Sequence, residues 1–168
     1  MSARDDIVAL ANEWVDPGLS YKPTTDELIS FFTDANTEQA PSQDEASKSL
    51  STLDTGCYVG GEVKHWCGIF ACSVARNAGL DRLKWTLLGG KILGLKKVWG
   101  NSGIQPGDIA IIPHASHHFI VTGTWSEDED PDSPQSFLTV EGNTSGQRIK
   151  SGKRKPSEII AYYQITTD

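Results

Sequence analysis

The sequence predicts an α+β fold, helices first and an antiparallel sheet after them, on three observations. Residues 1–55 carry apolar residues at helical spacing behind Ser or Thr residues with an acid three positions later. The second half carries short β-branched and aromatic runs bounded by Gly, Pro and Asn. Between the two, an amphipathic segment opens at Cys67 and stops at Gly79. The expected sheet has about four to six strands, the usual size. The 168 residues are expected to form one domain, with residues 1–55 as a helical N-terminal part and residues 56–168 as the core.

Taken in order, Ile7, Leu10, Ala11 and Trp14 make the first helical stripe, Ser2 with Asp5 offers a cap, and Pro17-Gly18 ends it. Thr24 and Glu27 start a second helix that carries Leu28, Ile29, Phe31 and Phe32; Ser42 and Glu45 start a third, ending near Leu53. No long Pro/Gly/Ser linker separates these helices from the rest of the chain, so they are expected to pack around the core or roof its cleft. Trp85 to Gly100 has no clean period and reads as a connecting loop with Trp85 and Trp99 as packing anchors, or as a wall of the cleft. Pro106-Gly107-Asp108 opens the run Ile109–Ile112, a second run spans 118–122, a third is Phe137–Glu141, and a closing strand runs from Ile159 to Ile165.

Cys67 stands at the front of the central helix, where Phe70, Val74 and Ala78 recur every four residues and Ala71 and Ala75 widen the stripe. Aligned peptide dipoles and unpaired first-turn N–H groups favour an anion there, which lowers a thiol pKa. A buried cysteine is otherwise a small apolar residue, so the downstream residues matter. His117 and His118 open the second run. Glu141 and Asn143 close the third, two apart and so expected on one face of the strand. A thiol, an imidazole and a polar orienting group are what nucleophilic catalysis needs: a base for the thiol proton, and a group that fixes the base's tautomer.

Trp66-Cys67-Gly68-x-Phe70, a helix ending Asn77-Ala78-Gly79-Leu80, Pro106-Gly107-Asp108-Ile109, a His-led strand and Glu141-Gly142-Asn143 together resemble the CHAP group of cysteine amidases and peptidases, related to the NlpC/P60 enzymes of the papain-like superfamily. The resemblance covers about residues 56–168. It implies a papain-like fold and cleavage of an amide bond in the peptide part of peptidoglycan through a thioester acyl-enzyme. It also implies that Cys67 is the nucleophile, a histidine of the pair the base, Glu141 the orienting acid, and Asn143 the match to the family's Asn, with no cofactor. The alternatives are a papain-like cysteine peptidase on another amide, and a catalytically silent binding module.

His117 aligns best as the base. Phe119 stands where the family has a small residue, however, and a bulky ring there would suit a shifted register with His118 facing the thiol. His118 is therefore the alternative base.

A formal net charge of −7 argues against a nucleic-acid partner, because neutralising phosphates takes a basic surface and the one short basic run, Lys150 to Lys155, reads as a solvated hairpin loop. No stretch approaches the roughly 20 apolar residues of a membrane span, and the N-terminus, with Asp5 and Asp6, lacks a basic-then-apolar leader. A wall hydrolase made in the cytoplasm without such a leader reaches the periplasm or cell wall by lysis, a holin or an injection machine. That expectation is of a delivered antibacterial effector or a phage-associated lysin, partnered by delivery machinery and a cognate immunity protein.

Three cysteines exclude a complete disulfide framework. Cys72 is expected in the core, and Cys57, in a Gly-rich stretch, as a buried or simply exposed thiol. His114, His117 and His118 are too close along one strand to build a tetrahedral metal site, and the acidic residues Glu127, Asp128, Glu129, Asp130 and Asp132 lack the spacing of a calcium loop and read as a solvated hairpin tip.

Overall fold

A computed structural model of the protein describes residues 2–15, 19–113, 117–126 and 135–166. The expectations for Pro17-Gly18, His114 and the acidic residues between 127 and 132 fall outside them. Among the described residues are four α-helices, α1 (Ala3–Glu13), α2 (Thr25–Asp34), α3 (Gln43–Thr52) and α4 (Cys67–Asn77), and a seven-stranded antiparallel sheet. Its order is β1 (Ser20–Tyr21), β10 (Arg148–Arg154), β9 (Ser136–Thr144), β8 (His117–Trp125), β7 (Ile109–Ile112), β11 (Ala161–Gln164), β6 (Lys96–Trp99). Two small hairpins stand apart from it: β2 (Cys57–Val59) with β3 (Glu62–Lys64), and β4 (Lys84–Thr86) with β5 (Lys91–Leu93). No helix among the described residues is long and apolar enough to cross a membrane.

The helices start where the capping signals put them. Ser2 with Asp5, Thr24 with Glu27 and Ser42 with Glu45 each form a reciprocal capping box, so two orphan backbone donors are satisfied at each start. α4 stops at Gly79, whose φ of +97° suits glycine; Gly79 N donates to Arg76 O and Leu80 N to Ala75 O, closing the last turn.

The sheet exceeds the expected four to six strands because both edges come from segments with no readable alternation. β1 is two residues long, held by Arg148, whose Nε donates to Ser20 Oγ at 2.6 Å and Nη2 to Ser20 O at 3.0 Å. β6 is Lys-Lys-Val-Trp, a charged edge paired along β11 from Trp99↔Ala161 to Lys96↔Gln164. Three strands therefore occupy the segment that reads as a loop between Trp85 and Gly100. Trp85 is buried as expected, but Trp99 is 72 % exposed and anchors no packing. The basic run from Lys150 likewise belongs mostly to β10 and is no hairpin loop.

Alternation along the central strands divides the core. Ile109, Ile111, Ile120, Val140, Ala161 and Tyr163 face the helical layer, while Ala110, Phe119, Val121 and Tyr162 form a second cluster on the other face. α4 packs against β8 and β9. The N-terminal helices wrap it through aromatic contacts, with Trp14–Phe31 centroids at 5.0 Å, Phe31–Phe70 at 5.2 Å and Phe31–Trp66 at 5.8 Å. Each such pair adds about 0.5–1.5 kcal/mol beyond the area it buries. The N-terminal third is thus part of the same core.

Candidate active site

Cys67 is the first residue of α4, preceded by Trp66, which provides no side-chain cap. First-turn N–H groups are left without that partner, the condition under which a helix start attracts an anion. Two glycines let other elements close on this end. A Cβ on Gly68 would lie 2.0 Å from the Trp85 ring, and one on Gly142 would lie 2.9 Å from both Phe70 and Trp66. The Trp66 indole donates to Gln147 Oε1 at 2.9 Å, and Gln147 Nε2 donates to Gly56 O at 2.5 Å, tying the segment before the helix to the β9–β10 turn.

His117 begins β8, and its Nε2 lies 2.9 Å from Glu141 Oε2 on β9. That leaves Nδ1 as the ring nitrogen for the Cys67 thiol, to which both His117 and His118 are hydrogen-bonded electrostatic partners. Glu141 is more heavily held than a lone orienting acid needs. Arg154 on β10 donates Nε to Oε1 at 2.9 Å and Nη2 to Oε2 at 2.7 Å, and Thr139 Oγ1 donates to Oε1 at 2.8 Å. With His117 added, both oxygens are fully engaged. Gly152 keeps β10 close enough for this, since a Cβ there would come within 3.0 Å of Glu141 Oε1.

The charges follow from these contacts. Burial alone would push the Cys67 thiol up, but hydrogen bonds and charge from His117 and His118 outweigh it and bring it down to about 5. Burial disfavours a charged His117 ring, yet its bonds to Cys67 and Glu141 raise it to about 9. Burial also opposes ionised Glu141; His117 and Arg154, with Thr139, hold it at about 2. At neutral pH the site is a thiolate beside an imidazolium, backed by a carboxylate and a guanidinium. The other two thiols are buried, free and without a histidine to stabilise an anion: burial raises Cys57 to about 11 and Cys72 to about 12.

Cys67, His117 and Glu141 therefore come together as the sequence suggests. His118 also reaches the thiol's surroundings, but from the helical face of β8, stacked on Tyr163 with centroids at 6.1 Å and edge-on to Trp85 at 5.0 Å. His117, not His118, carries the carboxylate. Phe119 needs no register shift, because its ring faces the second core cluster under the Arg154 guanidinium.

Glu141 and Asn143 do not share partners, contrary to the expectation that they act on one face. Asn143 has a φ of +55°, which breaks the strand alternation, and its amide turns to Gly56 and His65. Sequence reasoning missed Arg154, Thr139 and His65. Arg154 sat unnoticed inside a basic run; the one available hint for Thr139 was its two-residue offset from Glu141. Among the described residues no three His, Cys, Asp or Glu side chains gather as a metal would require.

The thiol opens into a cleft of about 230 Å³ lined by Val63, Lys64, His65, Trp85, Leu87 and His118. Part of the segment between Trp85 and Gly100 is thus a cleft wall. A separate hollow of about 470 Å³ beside Glu38 and Glu62 shares Lys64 and Leu87 with this cleft. A larger hollow of about 580 Å³ between α1 and β8–β10 is lined by neither Cys67 nor His117. Compared with known proteins, the chain matches no family model, no curated protein and no solved structure.

Proposed function

We propose that the protein is a cysteine amidase or endopeptidase that cleaves an amide bond in the peptide part of peptidoglycan. The observation that carries the chemistry is the order Cys67–His117–Glu141, a thiolate at a helix front beside an imidazolium whose far nitrogen is 2.9 Å from a carboxylate. A lowered thiol in an open cleft supports catalysis over a silent binding module, in which Cys67 would sit unionised like Cys57 and Cys72.

In the mechanism, the Cys67 thiolate adds to the scissile carbonyl carbon and the carbonyl π pair moves onto oxygen. Backbone N–H groups at the start of α4, which has no side-chain cap, would receive that oxyanion. Collapse expels the amine, which takes the proton of His117, and a thioester remains on Cys67. Neutral His117 then takes a proton from water as it attacks the thioester; Cys67 leaves as thiolate and the acid product departs. Glu141 holds the ring and stabilises each imidazolium; Arg154 and Thr139 hold Glu141.

Peptidoglycan as substrate is supported by the motif resemblance alone. Digestion of purified sacculi with mass spectrometry of the fragments tests both bond class and substrate. New amine and carboxyl ends in stem peptides, absent with Cys67→Ala, are the expected result. Intact sacculi alongside cleavage of a general peptide library would move the activity to another amide.

A further inference from the structure

His65 lies between β3 and α4, two residues before Cys67, and its exposed ring lines the same cleft as the thiol. Its partner is Asn143, whose orientation is fixed independently. Gly56 N is a backbone donor, and it lies 2.5 Å from Asn143 Oδ1, so the oxygen of that amide must face Gly56. The amide nitrogen then faces His65 Nδ1 at 3.3 Å. An amide NH₂ only donates, so Nδ1 must be the lone-pair nitrogen and the ring proton sits on Nε2.

The Asn143–Gly56 bond would hold this loop without His65, and an exposed ring adds little to packing. What the second half of the Asn143 amide contributes is a chosen tautomer, with an N–H on the edge of the ring away from Asn143, on a ring that lines the same cleft as the thiol. Gly56 is itself clamped, since Gln147 Nε2 holds its carbonyl, so Asn143 is referenced to a fixed point.

We propose that His65 is a catalytic hydrogen-bond donor whose Nε2–H binds the substrate's scissile carbonyl oxygen as it becomes an oxyanion, and that Asn143 is the positioning residue that sets its tautomer. The inference rests on Cys67 as the nucleophile of acyl transfer. No proton moves at this step: the thiolate adds to carbon, the π pair goes to oxygen, and His65 donates a hydrogen bond that strengthens as charge develops. The same proposal gives a use to the half of the Asn143 amide that Gly56 does not engage.

Three measurements test it. Nitrogen-15 shifts of the imidazoles should show His65 as the Nε2–H tautomer in the wild type and as a mixture in Asn143→Ala; an Nδ1–H ring in the wild type overturns the proposal without any substrate. In hydrolysis of sacculi, His65→Ala should lose about 10²-fold in kcat with little change in KM, the usual effect of one oxyanion donor. His65→Gln, which keeps a donor, should recover part of it. The double variant with Asn143→Ala should be no worse than His65→Ala. Iodoacetamide alkylation of Cys67 forms no oxyanion, so its rate should be unchanged in His65→Ala. Unchanged kcat in His65→Ala, or a loss confined to KM, overturns the proposal, whereas activity persisting in Cys67→Ala removes the nucleophile on which it stands.

Discussion

Arg154 meets Glu141 as a two-pronged pair across neighbouring strands, Nε on Oε1 at 2.9 Å and Nη2 on Oε2 at 2.7 Å. The fork leaves the carboxylate one orientation, with Oε2 towards His117. A lysine ammonium cannot reproduce that geometry. Arg154→Lys should lower kcat about tenfold with KM held, while Arg154→Met, which strands a buried carboxylate, should also cost about 2 kcal/mol of stability, the scale of a charged hydrogen bond. Thermal unfolding and steady-state kinetics on the same samples check both; equal kcat in all three proteins would remove Arg154 from the relay.

Thiol reactivity should single out Cys67. At pH 6–7 a limiting dose of iodoacetamide is expected to modify Cys67 first, since it titrates at about 5 while Cys57 and Cys72 titrate at about 11 and 12. Peptide mapping reads the order. Cys67→Ala should fold and lose turnover, and Cys72→Ser should keep it.

Alanine at each histidine should separate their roles. His117→Ala removes the base and should cost on the order of 10² to 10⁴ in rate. His118→Ala empties a buried position between Trp85 and Tyr163, so its main effect should be a lowered Tm, with a smaller rate loss from the weaker hold on the thiolate. A larger rate loss for His118→Ala would reassign the base.

The pH dependence has a definite sign. Activity needs the thiolate and the imidazolium together, so it should fall below about 5 as Cys67 gains a proton and above about 9 as His117 loses one. For stability, Glu141 titrates near 2 in the folded chain, below its ordinary 4.5. Its contribution is present above the ordinary carboxylate range and is lost as pH falls through about 2. Melting curves between pH 5 and 2 should therefore slope less in Glu141→Gln than in the wild type.

Much of this was legible in the residues. Each Ser or Thr with its acid three positions on marks a helix start because the cap is local chemistry, and the helix opening at Cys67 and ending at Gly79 is bounded the same way. Cys67, His117 and Glu141 were legible as an ordered set. The edge strands were not, because Ser20-Tyr21 and Lys96–Trp99 are paired from outside and carry no alternation of their own. Nor was Arg154 distinguishable from its basic neighbours, since what sets it apart is the register that lays β10 beside β9. Asn143 misled because strand alternation assumes extended backbone, and a single left-handed residue redirects its side chain.

α4 is buried at every position from Cys67 to Ala75, enclosed by helices on one side and the sheet on the other. Solvent hydrogen reaches the hydrogen-bonded amides beyond its first turn only through large-scale opening, whereas Gly60, Gly61 and Glu62 at the β2–β3 tip are exposed and can exchange through local opening. The lining of the cleft is therefore expected to span different tiers of exchange: among the described residues, the helix that carries the thiol should be among the last to come apart, and the β2–β3 hairpin among the first. Breathing of the hairpin would then leave undisturbed the helix start that carries the lowered Cys67 thiol.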